Sequence, residues 1–313
     1  LLLVSFYHKG LVGVLIAMII ANVVVSLILF ISAHLYHYFS LSCFSIERLL
    51  EMLGYSWPLI PNSLSLWVMN LSDRLIITTF LGVETNAIYA VANKIPNLLT
   101  TIQSSFSAAW MENASLTVKD GDTEEYYSKM FDVIFCMLVG ITAGLIAISP
   151  ILFRLLIRGD YEDAYVQMPI LFAGMMFSVL SSFMGGIYAA HKRTKSVGVT
   201  TIVAAFLNLL IDFIFVKKIG LYAASLSTVI SYIFLVVYRM VDVQKFQKMK
   251  FNFKQIFFYL LLLLIMGIIS MANNWHLNIL NFVIGCIIIF VSNKTVICKI
   301  ISQIKVKVIR AKK

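Results

Sequence analysis

Nine apolar stretches, each long enough to cross a bilayer as a helix, take up most of this chain. They run over residues 11–33, 55–81, 86–110, 131–157, 168–190, 197–216, 221–240, 254–272 and 277–293. A hydrocarbon core of ~30 Å takes about 20 helical residues, and backbone groups inside lipid must bond within their own segment. Barrel strands would instead show alternating segments of about ten residues, whereas these runs are unbroken. The expected fold class is all-α: a polytopic transmembrane helix bundle of about nine spans. Composition agrees, with 60% hydrophobic and 13% charged residues among 313, far from the balance of a soluble domain.

The net charge of +10 could suggest a nucleic-acid partner, but the placement of the charges argues against one. Let the connections alternate between sides X and Y, with X before the first span. Lys9, Arg154, Arg158, Lys217 and Lys218 then fall on X, while Arg74 and Lys94 fall inside spans. Every other Lys and Arg falls on Y, with Arg239 at the Y end of its own helix. Basic residues accumulate in cytoplasmic loops, so Y is read as cytoplasmic, and the basic C-terminus with it. These charges meet anionic headgroups. Membrane lipids, and no nucleic acid, are the expected partners.

The chain opens Leu-Leu-Leu-Val without methionine, and in this orientation its first span runs from outside to inside. The expectation is an N-terminally incomplete chain lacking an odd number of spans. No charged leader or small-residue cleavage site is read at its start. Cys43, Cys136, Cys286 and Cys298 lie in different segments without Cys-x-x-Cys or Cys/His spacing, and the histidines flank spans. They suggest no disulfide, metal or cofactor.

Two connections exceed a turn. Residues 34–54 contain Ser45-Ile-Glu-Arg-Leu-Leu-Glu51, patterned like an interfacial helix, and a connection of this length suits an internal boundary. Residues 113–130 include Asp120-Gly-Asp122, the Asp-x-Asp spelling of some metal-dependent sugar transferases. Three residues around a glycine are far more often a turn. Asp160, Glu162 and Asp163 in an outer loop are read the same way.

A charge in mid-bilayer costs roughly 2.5–3.5 kcal/mol on insertion scales, so such residues face a cavity or a partner. They gather in one hairpin. Gly82-Val-Glu-Thr85 joins the second and third spans too tightly for anything but antiparallel neighbours. Asp73 and Arg74 lie about ten residues before that turn and Lys94 about ten after it, hence all at a depth of roughly 15 Å. Adjacent Asp73 and Arg74 diverge by about 100° on a helix. Either Asp73 pairs with Lys94 and Arg74 faces water, or the reverse. Asn62, Asn70 and Asp73 share a broad face of one helix, while Lys94, Asn97 and Thr101 belong to a small, polar stripe on the other. Pro58, Pro61 and Pro96 are expected to kink or unwind their helices, and Pro150 and Pro169 to terminate theirs. Asp212 lies about four residues from the outer end of its span. It is read either as snorkelling beside Lys217 or as facing a cavity. Asp73 and Asp212 are the candidates for H+ or Na+ coupling.

The run Tyr55-Ser-Trp-Pro-Leu-Ile-Pro-Asn62, followed by Trp67, Asn70, Asp73-Arg74, Phe80-Leu-Gly82 and Ile88-Tyr-Ala-Val-Ala-Asn-Lys-Ile95, resembles the start of the C-terminal half of bacterial polysaccharide flippases. These are the O-antigen or capsule repeat-unit translocases of the multidrug/oligosaccharidyl-lipid/polysaccharide exporter superfamily. The likeness continues in Ile187-Tyr-Ala-Ala-His-Lys-Arg-Thr194, Leu207-Asn-Leu-Leu-Ile-Asp212 and Ile219-Gly-Leu-Tyr-Ala-Ala-Ser-Leu-Ser-Thr228, and covers roughly residues 47–240. Two positions depart from the pattern. Tyr222 replaces the second glycine of a Gly-x-x-Gly-Ala-Ala pattern, and Asp212 stands where asparagine is commoner.

The resemblance implies a two-lobe alternating-access transporter of which this chain supplies the C-terminal lobe. Residues 1–33 would hold the last helix of the first lobe, 34–54 a cytoplasmic linker and 55–240 the second six-helix lobe. Residues 241–296 would add two spans, and 297–313 a basic cytoplasmic tail. The implied activity is non-enzymatic: movement of undecaprenyl-pyrophosphate-linked oligosaccharides across the bacterial inner membrane for surface polysaccharide. A polysaccharide polymerase and chain-length machinery are the implied protein partners. Arg74 and Lys94 would contact the pyrophosphate or orient the sugar, with Asp73 holding one of them. The rival readings are a cation-coupled drug exporter, a peptidoglycan-precursor flippase, and a polymerase or glycosyltransferase. The last would need a large catalytic outer loop, and the outer loops here are short.

Overall fold

The computed structural model of the chain describes residues 10–38, 44–118, 122–157, 161–272 and 274–294. Cys43, Asp120, Arg158, Asp160, Cys298 and the 297–313 tail lie outside the described residues. All regular structure among the described residues is helical. Contacts divide the chain between Gly54 and Tyr55 into two units. The first holds α1 (Gly10–Ser32) and α2 (Ile46–Ser56). α1 is apolar on nearly every side, as a lipid-facing span is. α2 sets Ile46, Leu49, Leu50 and Leu53 against Glu47, Arg48 and Glu51, the composition of an interfacial helix.

The second unit is a bundle of nine helices among its described residues: α3 (Leu59–Leu81), α4 (Val83–Ala92), α5 (Lys94–Thr117), α6 (Thr123–Leu156), α7 (Glu162–Ala190), α8 (Thr194–Ile219), α9 (Leu221–Val243), α10 (Phe253–Met271) and α11 (Trp275–Ser292). Every apolar stretch of the sequence is therefore helical. Seven helices are long and apolar enough to cross a membrane by length and composition alone. The remaining two stretches, α3 and the α4–α5 pair, are more polar because they carry Asn62, Asn70, Asp73, Arg74, Lys94 and Asn97.

The second apolar stretch is interrupted at its prolines: α2 ends at Ser56 and α3 begins at Leu59, with Pro58 as its N-cap and Pro61 in its first turn. Pro150 and Pro169, expected to terminate their helices, sit inside α6 and α7 instead. The carbonyl that Pro150 leaves without an amide is that of Ile146, and the Ser149 hydroxyl donates to it at 2.8 Å. Pro96 breaks the third stretch. It has no N–H for the Ala92 carbonyl, and α4 stops there while α5 restarts after Asn93.

α7 runs through the middle of the unit, packed by α4, α5, α6, α8, α9 and α10. Its Phe172, Phe183 and Tyr188 are fully buried together with Tyr127 and Phe131 of α6. Trp110 of α5 stacks on Phe183 at 4.3 Å between ring centroids and donates its indole N–H to the Phe183 carbonyl at 2.8 Å. A Cβ on Gly186 would come within 2.6 Å of that indole, so glycine is what lets α5 approach α7. The unit buries a few polar and charged groups within this apolar core and is apolar outside: Asp73, Asn208, Asp212 and Arg239 are buried, while Phe206, Phe213 and Leu264 are more than 60% exposed. Large apolar side chains presented outward require a hydrocarbon surrounding.

Candidate functional site

Gly82, at φ +94°, turns α3 straight into α4. The tight turn sets the two helices antiparallel and brings Tyr89 across from Asp73. The Tyr89 hydroxyl donates to Oδ2 of Asp73 at 2.9 Å, and the Thr228 hydroxyl of α9 donates to the same oxygen at 2.9 Å. Asp73 is 3% exposed. Among the described residues neither Arg74 nor Lys94 forms an ion pair with it. Both pairings open from the sequence are thus replaced by two neutral donors, one of them from a helix more than 150 residues further along the chain.

A second layer lies behind this carboxylate. Ser72 donates to Oδ1 of Asn208 at 3.3 Å, and the Asn208 amide donates to Ser227 at 3.1 Å. One turn further along α8 is Asp212, at 0% exposure. It does not snorkel beside Lys217, whose ammonium lies 4.9 Å from the centroid of the Phe80 ring. Among the described residues neither Asp212 carboxylate oxygen has a hydrogen-bond partner, nor has Oδ1 of Asp73. Two acids therefore present three acceptor atoms with no donor. A buried ion left uncompensated costs several kcal/mol, which a proton or a bound cation would remove. Among the described residues no group of three His, Cys, Asp or Glu is gathered as a transition-metal site would be.

In front of Asp73 opens a cavity of about 250 Å³. Asn70 and Arg74 line it from α3, Asn93 and Asn97 from the break between α4 and α5, and Thr228 and Tyr232 from α9. Arg74 is half-buried and, among the described residues, belongs to no ion pair. Asn70 donates to the Leu66 carbonyl at 2.8 Å and Asn93 to the Tyr89 carbonyl at 3.0 Å. A carbonyl acceptor for the amide nitrogen fixes the orientation of each amide. The space holds about eight waters at ~30 Å³ each. It can accept hydroxyl protons at the amide oxygens and an anionic or hydroxyl oxygen at the guanidinium.

The structure thus gathers Asn70, Asp73, Arg74 and Asn97 of the sequence candidates. Lys94 is exposed and does not line the cavity. Asn62 lies two turns away on α3, where its Oδ1 accepts from Thr201 at 2.6 Å. The side chain of Thr101 lies outside the described ones. Sequence reasoning did not single out Tyr89, Asn93, Asn208, Thr228 or Tyr232. A usable signal was the i, i+4 spacing of Asn208 with Asp212 and of Thr228 with Tyr232, which puts each pair on one helix face.

The family of polysaccharide biosynthesis proteins matches residues 8–166, a stretch that contains α3, α4 and α5. The chain belongs to this family. Its fold is similar to that of a multidrug resistance transporter of the MATE family, within the MOP superfamily, solved in an outward-facing conformation. The TM-score is 0.53 at 14% identity, over 77% of this chain and 64% of that one. It is also similar to a MOP superfamily transporter from Pyrococcus furiosus described as having a binding pocket of reversed polarity, with a TM-score of 0.52 at 13% identity and the same coverage. The chain therefore spans 64% of the length of the solved transporters it matches. No functionally curated protein sequence matches it. A multi-pass, all-helical membrane protein with the MOP transporter fold is the description that family and fold share.

Proposed function

We propose that the chain is part of a flippase that carries polyprenyl-pyrophosphate-linked oligosaccharide repeat units across the bacterial inner membrane for surface polysaccharide such as O-antigen or capsule. The observation that carries this reading is Arg74, half-buried and in no close ion pair among the described residues, in an amide-lined cavity between membrane-spanning helices. Sugar hydroxyls and a pyrophosphate resist entry into hydrocarbon, and a polar cavity with a fixed cation lowers that barrier. The movement needs no bond to be made or broken, so the protein acts as a transporter rather than an enzyme. Residues 55–240 would form the second lobe of a two-lobe transporter, 34–54 its cytoplasmic linker and 241–296 two appended spans. A polysaccharide polymerase and its chain-length machinery would take over the flipped unit.

Asp73 and Asp212 are proposed as the coupling site. Their three donor-free oxygens suit a proton or a hard cation such as Na+, which takes oxygen ligands. Binding one such ion there would cancel one of the pair's two negative charges and give the ion gradient a hold on α3.

The multidrug exporter reading shares this fold, but a cationic drug would meet Arg74 in the cavity and be repelled. In cells that depend on the chain for surface polysaccharide, Arg74→Gln should abolish the polysaccharide while the protein still inserts. Normal polysaccharide in that variant, with drug accumulation that follows an ion gradient, would overturn the flippase reading in favour of the exporter.

A further inference from the structure

Arg239 is 3% exposed, four residues before the end of α9, and has no carboxylate within ion-pair distance among the described residues. Oxygen dipoles hold it instead. Nη1 donates to the Ser181 carbonyl of α7 at 2.7 Å. On α8, Nη2 donates to Thr201 Oγ1 at 2.9 Å, to Thr200 Oγ1 at 3.1 Å and to the Val197 carbonyl at 3.3 Å. Nε also reaches Thr200 Oγ1, at 3.3 Å. A planar fork can satisfy two helices at once in this way, and a lysine ammonium cannot reproduce it. A cation this well buried and this well bonded is costly to place and costly to disturb.

The fastening extends to α3. The Thr201 hydroxyl, whose lone pair is taken by Arg239, has Asn62 Oδ1 of α3 at 2.6 Å as its nearer acceptor and the Val197 carbonyl of its own helix at 2.9 Å as the alternative. One turn earlier on α8, Gly198 admits the Pro58 carbonyl so closely that a Cβ there would lie 2.6 Å from it. The first turns of α3 are thus fixed twice against α8. Midway along, α3 is tied by a neutral bond from Ser72 to Asn208 and by the bond that Asp73 accepts from Thr228. Of these ties only the one at Asp73 involves a group whose charge can change. The fastening at the first turns depends on a guanidinium, which keeps its charge.

We propose that Arg239 is a positioning residue: with Thr201, Gly198 and Asn62 it forms a fixed hinge for α3. The segment bearing Asn70, Asp73 and Arg74 turns about this hinge when the buried carboxylates gain or lose their cation. The inference rests on the transport reading of the Asp73 site.

The test uses single-cysteine reporters at the exposed positions Ser63, beside the hinge, and Thr79, beyond the site, in a chain with its native cysteines replaced by serine. A membrane-impermeant maleimide is applied to vesicles of either orientation, with and without Na+ and on acidification. In the parent, labelling of Thr79→Cys should change at least threefold with the ion while Ser63→Cys stays constant. In Thr201→Val, Gly198→Ala and Arg239→Lys, labelling of Ser63→Cys should become ion-dependent by at least threefold. Should these variants only melt at lower temperature, with both labelling patterns as in the parent, Arg239 is a structural residue and the hinge is wrong. Should Thr79→Cys fail to respond in the parent, the coupling site and the hinge fall together. The mild Thr201→Val and Gly198→Ala variants decide the matter even if Arg239→Lys does not fold.

Discussion

Arg74 and Lys94 carry the same charge at similar sequence distance from Gly82, yet only Arg74 lines the cavity. Their removal should therefore differ. A hydrogen bond to a charged group contributes ~1.5–3 kcal/mol, so Arg74→Gln should slow translocation of a lipid-linked oligosaccharide tenfold or more. Lys94→Gln should stay within about threefold of the parent in the same assay, the effect of a surface charge. Packing gives a second residue-scale expectation. Gly186→Ala drives a methyl into the Trp110 indole, and overpacking of this kind costs ~1–3 kcal/mol, seen as a lower thermal midpoint of the purified protein. The antiparallel pairing of the helices either side of Gly82 was legible because so tight a turn leaves them no other arrangement. The partners of Asp73 were not legible, since Thr228 arrives from a helix whose placement no local spacing fixes. Arg239 was counted with the loop charges for a similar reason: near a helix end, a snorkelling side chain and a buried one have the same sequence signature.

The break at Asn93 is the element that shapes the site. It lets Asn93 and Asn97 line one cavity, and Pro96 is its cause. In Pro96→Ala the Ala92 carbonyl regains an amide partner and α4 can continue into α5. The expected result is a protein at least as stable to heat as the parent whose transport falls several-fold, the usual cost of straightening a helix break that shapes a site. Equal transport and equal stability would show that the break does not depend on the proline. Apolar stretches named every helix, because lipid demands long unbroken runs. Proline effects were read less well at Pro150 and Pro169, since a missing amide ends a helix only where its acceptor has no substitute. At Pro150 a neighbouring serine supplies the bond.

The second unit encloses a few buried charges in an apolar body, with most loop charges of the chain on one side by the sequence reading. That asymmetry predicts that both the loop containing Lys192, Arg193 and Lys195 and the C-terminus are cytoplasmic. A reporter fluorescent only in the cytoplasm should light up when fused after Lys313, and one active only outside should stay silent; the opposite pair of results would invert the orientation. The most direct measurement follows the sugar itself. The purified chain is placed in liposomes with a fluorescent polyprenyl-pyrophosphate-linked oligosaccharide, and an impermeant quencher reports how fast inner-leaflet molecules become accessible. Exchange well above that of protein-free liposomes, lowered tenfold or more by Arg74→Gln, is the expected result. Exchange no faster than in protein-free liposomes, or undiminished in Arg74→Gln, would contradict a flippase acting through the Arg74 cavity.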